Sequence, residues 1–103
     1  MSDFDKFVLE QLKDENFQKE YMNESLAEYV ETGDFNAFFR SLENVIKSRD
    51  SISGFCVKAG IDRALLYDIF SGKRVPRLDT LAKILKTLGY NLQVAQIYST
   101  KYI

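Results

Sequence analysis

A cluster of cationic side chains lies in one turn of the sequence and has the clearest chemical use of any group in it. Lys73, Arg74 and Arg77 stand in "SGKRVPR", residues 71–77, which also holds the only proline of a chain whose net charge is −1. Cations gathered on a turn are typical of contacts to the phosphate oxygens of a nucleic acid. Charges beside a glycine are often only solvated, so that alternative stays open, but the clustering favours phosphate binding.

The segment in front of this turn has the pattern of a helix-turn-helix. In "SGFCVKAGIDRALLYDIF", residues 53–70, Gly60 separates two short stretches in which apolar residues recur at helical spacing. Ser53 and Asp62 are predicted as the N-caps of the two helices, and the small Cys56 suits the point where the helices cross. We therefore predict a compact helical pair whose second helix can enter the major groove of DNA.

The outward positions of the second helix differ in what they can bind. Arg63 can donate to guanine O6 and N7, although it could instead pair with Asp62, and Ala64 can contact a thymine methyl group. Tyr67 can donate to a phosphate or pack on a sugar, while Asp68 can accept from cytosine N4 or repel phosphate. The predicted DNA-binding residues, on this face, in the basic turn and at the start of the first helix, are Ser53, Asp62, Arg63, Ala64, Tyr67, Asp68, Lys73, Arg74 and Arg77.

Further helices must hold this pair in place. Apolar residues at helical spacing predict one near the N-terminus, with Asp3 as a cap, and others over about residues 16–31, 35–48 and 78–88. The helix over residues 35–48 should be central to the core, because its apolar stripe is wide. In the last helix, Leu78 should face inward with the leucines that follow it.

A short strand is predicted after the last helix. Leu92 and Val94 alternate with Asn91 and Gln93, which is a two-residue period. A strand needs a partner edge from the N-terminal part, a second copy or another protein. The predicted fold is all-α, a helix-turn-helix bundle of about five to six helices with a short C-terminal β-strand. It forms one domain, 1–103, with an N-terminal helical extension over 1–33, a helix-turn-helix core over 34–89 and the strand over 90–97.

The charge is unevenly distributed along the chain. Residues 1–50 carry 6 Lys and Arg against 12 Asp and Glu, a net of −6, whereas residues 51–103 carry 8 against 3, a net of +5. Such a split suggests two surfaces with different partners, although the halves could also simply attract each other. In the acidic half, the candidates for binding a cationic protein are Glu20, Glu24, Glu28 and Glu31. The alternative is a solvated helix face.

The composition argues against several classes of function. The chain has no histidine and a single cysteine, so nucleophile–histidine catalysis is excluded and an internal disulfide cannot form. A metal site is not expected, and no cofactor is. Paired-carboxylate catalysis stays formally possible, but no constellation supports an enzyme. No apolar run is long enough to cross a bilayer and the N-terminus does not resemble a signal peptide, so we expect a cytoplasmic protein.

These motifs resemble known proteins at two levels, a broad superfamily and a narrower family. "SGFCVKAGIDRALLYDIFSGKRVPRLDTLAKILKTLG", residues 53–89, resembles the Xre/Cro/CI-like helix-turn-helix superfamily, which implies a lambda-repressor-like fold. "EYMNESLAEYVETGDFNAFFRSLENV" and "RLDTLAKILKTLGYNLQV" resemble the HigA-like addiction-module antidote family. The resemblance covers about residues 14–97. Gly54, where a better helix former is usual, and Asp68 depart from the family pattern.

The resemblance implies a function with two partners. Members of the family are antitoxins that bind and silence a RelE/HigB-like mRNA-cleaving toxin and repress the shared operon through the helix-turn-helix. The expected partners are therefore double-stranded DNA with a palindromic operator, the toxin and a second copy in a homodimer, with the 91–97 strand as one candidate seam. The alternatives are a stand-alone, phage-like Xre-family repressor without a toxin, and an interaction module whose helix-turn-helix no longer binds DNA.

Overall fold

The computed structural model describes residues 2–96, and these residues form helices joined by short turns. In chain order the helices are α1 Asp3–Gln11, α2 Glu15–Thr32, α3 Phe35–Arg49, α4 Ile52–Ala59, α5 Arg63–Phe70 and α6 Leu78–Thr87. The all-helical bundle is thus confirmed within the described residues. The predicted boundaries of α2, α3, α5 and α6 agree with the structure to within one residue.

Local capping chemistry explains where the helices begin and end. Gly33 and Gly60 end α2 and α4 in the left-handed conformation, with φ of 78° and 67°, which L-residues with a side chain rarely adopt. Asp62 begins α5, since its carboxylate accepts a hydrogen bond from the Ala64 N–H at 3.3 Å. These punctuating residues are readable from the sequence because each acts on its own turn.

Two predicted N-caps were wrong by one or two positions. The cap of α4 is Ser51, whose hydroxyl accepts from the Gly54 N–H at 3.0 Å, and Ser53 lies in the first turn of the helix. The cap of α1 is Ser2 in place of Asp3, because Ser2 and Asp5 form a reciprocal capping box. The hydrogen bonds from Ser2 lower the pKa of the Asp5 carboxyl below its ordinary value.

The core is organised around α3. This helix contacts α1, α2, α4 and α5, and α6 packs on α4. Phe38, Leu42, Val45 and Ile46 of α3 are all buried, as the wide apolar stripe predicted. Because one helix contributes to the packing of both halves of the chain, the two halves share one hydrophobic core.

The prediction that Leu78 faces inward was wrong. Leu78 is 71% exposed, while Ile84 of the same helix is fully buried. Leu78 is the first residue of α6, and its exposure shows that no element between residues 2 and 96 covers that end of the helix. Helical spacing predicted which residues share the apolar face of α6, but it could not predict how far along the helix neighbouring elements cover that face.

The predicted C-terminal strand does not form in the described residues. Residues 91–96 have no regular secondary structure, and Ile97, the last position of the prediction, lies outside the described range. A strand exists only through hydrogen bonds to a neighbouring strand. No other strand is present between residues 2 and 96, so the alternating pattern stays unpaired within one copy.

A polar network joins the N-terminal helices to the end of α6. Gln18 is 2% exposed, and its amide donates to the Leu12 carbonyl at 2.9 Å while its oxygen accepts from Arg49 and from the Tyr90 hydroxyl. Arg49 also donates to the Leu88 carbonyl at 2.6 Å, at the C-terminus of α6. A cation there complements the negative end of the helix dipole. The network therefore connects α2, α3 and the chain that follows α6.

The packing of Asp50 explains why a glycine stands at position 54. A Cβ atom at this position would lie 2.6 Å from a carboxylate oxygen of Asp50, which is too close for any side chain unless Asp50 moved. That carboxylate accepts from the Lys58 ammonium at 2.7 Å and from the Ser51 N–H. The two hydrogen bonds lower the pKa of Asp50 below its ordinary value, with Lys58 as the larger cause.

Candidate nucleic-acid interface

The two short helices α4 and α5 pack as the helix-turn-helix pattern predicts. The inward residues of the pair are buried: Phe55, Cys56, Ala59, Ile61, Leu66 and Ile69. Burial raises the pKa of the Cys56 thiol, so it stays protonated at neutral pH and behaves as a small apolar side chain. The geometry of the pair is thus set by tight packing on one side, which leaves the other side of α5 free.

The outer face of α5 is exposed to solvent. Asp62, Arg63, Ala64 and Tyr67 are all exposed, and Asp68 is half-buried. Tyr67 is 46% exposed and holds its ring edge-on to Phe70, with 6.5 Å between the ring centroids. The structure therefore places these five predicted residues along one side and the N-terminal end of a single helix.

Arg63 is oriented by a partner from the neighbouring helix. Its Nη1 donates to the Ser53 hydroxyl of α4 at 2.6 Å, and the alternative pairing with Asp62 is not formed. A guanidinium has five N–H donors, so one hydrogen bond to serine leaves the others available to a ligand. Ser53 was predicted as a phosphate contact and a helix cap. In the structure its hydroxyl accepts a hydrogen bond from Arg63 and helps to orient that side chain. The residues are ten positions apart, so spacing along one helix could not reveal this pair.

The basic turn is only partly neutralised by nearby acids. Arg74 Nε lies 3.9 Å from an Asp68 carboxylate oxygen, and Arg77 Nε lies 3.4 Å from Asp79. Both arginine side chains are well exposed, at 66% and 85%, and exposed pairs of this kind are weak and easily exchanged. Lys73 is exposed and has no acid within salt-bridge distance among the described residues.

The backbone of α5 fixes the start of this turn. The N–H groups of Lys73 and Arg74 both donate to the Asp68 carbonyl, at 2.9 and 3.2 Å. The Asp68 side chain, which sequence reasoning left as either a base contact or a repulsive charge, instead faces Arg74. The pair is long and exposed, so it offsets the charge of Asp68 only weakly.

Two exposed apolar side chains lie in the basic turn and directly after it, and neither was predicted as a DNA contact from the sequence. Val75 is 56% exposed and Leu78 is 71% exposed, on either side of Arg77. Apolar side chains among cations suit the sugar faces and thymine methyl groups of DNA. The signal for Val75 was its place before Pro76, where the chain avoids helix, but nothing local indicated that Leu78 would be uncovered.

The four glutamates of α2 form a second charged surface. Glu20, Glu24, Glu28 and Glu31 are all exposed, and the first three recur every four residues on one face of the helix. None of them pairs with a lysine or arginine in the part of the chain that the structure describes. Like charges at this spacing slightly destabilise an isolated helix, so the acidic row does not serve the helix itself.

Other kinds of site find no support between residues 2 and 96. No group of three or more acidic or cysteine side chains is arranged to hold a metal ion in this range. Among the described helices, none is both long enough and apolar enough to span a membrane.

Comparison with known proteins gives one match. A family described as "Probable addiction module antidote protein" matches residues 1–96. No curated protein and no solved structure matches the chain. The match agrees with the antidote part of the resemblance read from the motifs, while the narrower HigA-like and Xre assignments stay predictions.

Proposed function

The chain belongs to the family of probable addiction module antidote proteins, and we propose that it neutralises a RelE/HigB-like mRNA-cleaving toxin and represses its own operon. Repression would use sequence-specific binding of the helix-turn-helix to a palindromic operator. The protein would act as a homodimer in the cytoplasm. An antidote of this kind works by binding and needs no catalytic residue of its own.

The main support for DNA binding is the position of Arg63 on the exposed face of α5, where a hydrogen bond to Ser53 orients its side chain. Arg63 projects from the first turn of α5, held by Ser53, and the cationic Lys73 and Arg74 follow directly after the helix. The first residues of a recognition helix lie nearest the bases, and cations at the far end can contact the phosphate backbone. Ala64 lets the helix approach closely, because its side chain is small.

The homodimer follows from the size of the recognition surface. A single eight-residue helix buries little groove surface, whereas specific complexes bury about 1,000 Å² of protein surface or more. Two copies related by a two-fold axis would present two α5 helices to half-sites separated by about 34 Å, one turn of the duplex. Operator palindromy would then mirror the symmetry of the protein.

The acidic row supports the toxin-binding part. An mRNA-cleaving toxin must have a cationic surface to hold RNA phosphates, and the unpaired glutamates of α2 are complementary to such a surface. Opposite potentials speed association and keep the two partners in register. The acidic face lies on α2 and the DNA-reading face on α5, so the proposal assigns the two partners to separate helices.

Titration with the DNA upstream of the gene tests the DNA-binding part. We expect tight binding in dilute buffer that falls steeply with salt, with a slope of about −0.9 for each phosphate contacted. Lys73→Ala should reduce the slope, whereas Lys83→Ala, an exposed lysine of α6, serves as the control and should not. Binding that is absent even in dilute buffer would overturn this part of the proposal.

Co-expression with the adjacent open reading frame tests the toxin-binding part. The two proteins should purify together, and the growth arrest caused by the neighbour alone should disappear when both are made. A protein that binds its upstream DNA but captures no neighbour would instead be a stand-alone repressor. A protein that captures the neighbour but does not bind DNA would be an interaction module.

A further inference from the structure

We propose that residues 91–96 are the dimer seam, in which this segment of one copy pairs as an antiparallel strand with the same segment of a second copy. The inference rests on the homodimer of the proposed function and adds where the two copies meet and in which register. We call residues 91–96 the seam segment.

The backbone of the seam segment has unused hydrogen-bonding groups. Tyr90 is the last residue with a backbone bond to the helical body, since its N–H donates to the Leu85 carbonyl at 2.8 Å. From Asn91 to Gln96, no backbone hydrogen bond joins the segment to the rest of residues 2–96. All six residues are exposed, and Val94 is 98% exposed.

The side chains of the seam segment favour pairing with another strand. The sequence "NLQVAQ" has no charge, no proline and no glycine. Natural proteins usually protect an open strand edge with lysine, proline or a bulge, and this segment has none of these. Leu92 and Val94 would lie on one face of the strand and Asn91 and Gln93 on the other. The two-residue period that predicted a strand is thus satisfied only when a partner strand is supplied.

A groove beside the seam segment provides the support that a short ribbon needs. Two strands alone are marginally stable in water, and packing against helices makes them stable. The groove has a volume of about 900 Å³ and lies between α2, α6 and residues 89–95. Its apolar walls include Met22, Leu26 and Leu81. A strand added beside the seam segment can therefore cover these side chains.

Charge argues for a second copy as the occupant. Lys19 and Lys86 stand among the lining residues, so a cationic toxin would meet like charges here. The seam segment of a second copy is uncharged and meets no such repulsion. The acidic row of α2 is the complementary surface for a cationic protein, which leaves the groove to the dimer.

Symmetry selects a register. In an antiparallel pair with the two-fold axis at Gln93, each Leu92 lies opposite the partner copy's Val94, and the apolar side chains of both copies share one face. An interface of this kind uses the same residues on both copies, so it forms a dimer and does not add further copies. A dimer is what the two half-sites of a palindrome require.

Measurement of mass in solution tests the seam. By sedimentation equilibrium the wild type should weigh twice the 11.9 kDa of one chain, whereas Val94→Lys should weigh 11.9 kDa. Val94 is almost fully exposed in a single copy, so its replacement should leave the helical signal in circular dichroism unchanged. Val30→Lys, at an exposed valine of α2, is the matched control and should remain dimeric. A monomeric wild type, or a dimeric Val94→Lys variant, would overturn the seam.

Disulfide trapping tests the register. With Cys56→Ala as background, Gln93→Cys should give a covalent dimer on mild oxidation, because residues directly opposite in an antiparallel pair have Cα atoms about 4.5–5.5 Å apart. Val30→Cys should not cross-link. A Gln93→Cys dimer that forms no disulfide would reject the register.

The seam and the DNA-binding proposal fail in different ways. A cross-linked dimer that ignores the upstream DNA would leave the seam intact and reject the DNA-binding function. A monomer that joins the toxin through the seam segment would reject the seam and leave the antitoxin function intact.

Discussion

The two halves of the molecule share a core but carry opposite net charges. Residues 1–50 have a net charge of −6 and residues 51–103 of +5. If the halves served mainly to attract each other, ion pairs would cross between them. In the described chain only Asp50–Lys58 does so, while the other pairs stay within one half. Most of the charge asymmetry is therefore not used in ion pairs between the halves of the described chain.

The halves also differ in how their helices are built. The N-terminal half contains the two longest helices, α2 and α3, and an aromatic cluster in which Phe38 stacks on Tyr29 with ring centroids 6.2 Å apart. The C-terminal half contains the two shortest helices, α4 and α5, which have eight residues each. The broad face of the long α2 carries the acidic row, whereas the cations lie on and just after the short α5.

The largest effect is expected from the core that the two halves share. Phe38→Ala should lower the free energy of unfolding by about 3–5 kcal/mol, because it leaves a cavity at a residue that is 2% exposed. Urea denaturation followed by circular dichroism should show one transition at lower urea. Two separate transitions would mean that the halves are independent units.

The polar network between the halves should contribute less. Gln18→Leu removes the acceptor of Arg49 and the donor to the Leu12 carbonyl, so unfolding should become easier by about 1–3 kcal/mol. Gln11→Leu is the control, since Gln11 makes no side-chain hydrogen bond in the described residues, and it should change stability by less than about 0.5 kcal/mol. Equal effects of the two changes would show that the network contributes nothing.

Loss of Arg63 should affect only the proposed DNA binding of the C-terminal half. Arg63→Ala should weaken binding to the operator by about 1–3 kcal/mol per half-site and binding to random DNA much less. Arg40→Ala, at an exposed arginine of α3, should change neither. Competition titrations on both duplexes provide the measurement, and equal losses would show that Arg63 contacts phosphate and does not read bases.

Charge reversal on α2 should affect the acidic half alone. Glu24→Lys combined with Glu28→Lys should slow toxin association by about tenfold or more at low salt, since steering would be lost. Glu10→Lys with Glu43→Lys changes the net charge equally at other helices and should slow association less. Stopped-flow mixing gives the rates. A row that is only solvated would make both pairs of changes equivalent.

The smallest effect concerns Asp50–Lys58, the one ion pair between residues 2 and 96 that crosses between the halves. The lowered pKa of Asp50 means that its stabilising contribution is present above the ordinary aspartate pKa and is lost as the pH falls through the lower folded value. Asp50→Asn should therefore be less stable than the wild type at neutral pH, and the gap should close in acid. Urea midpoints across the pH range would measure it. A gap independent of pH would assign the effect to packing beside Gly54.

The helical framework and the outward face of α5 were predictable from the sequence. Glycines at helix ends, the Asp62 cap and the proline after α5 act within a few residues, so their effect can be read without knowing the rest of the chain. The spacing of apolar residues identified the buried side of α3 and of α5. Arg63 and Tyr67 were predicted to be exposed because they lie on α5 away from its apolar residues. The basic turn was predicted from its clustered cations.

The errors arose where a second element decides the outcome. Leu78 continues an apolar stripe, but burial needs a neighbour and none reaches it. Ser53 has the chemistry of a cap, but Ser51 takes that position and Ser53 braces Arg63 instead. The strand over 91–96 needs an edge that the described part of a single copy does not contain.

The helices, most of their ends and the sign of each surface could be predicted from residue order alone, because these depend on residue type and on neighbours within one turn. The meeting of Gln18, Arg49 and Tyr90 across the core, and the space that Gly54 leaves for Asp50, became visible only in the folded chain. Contacts between residues far apart in the chain depend on how whole helices pack, and no local pattern records that.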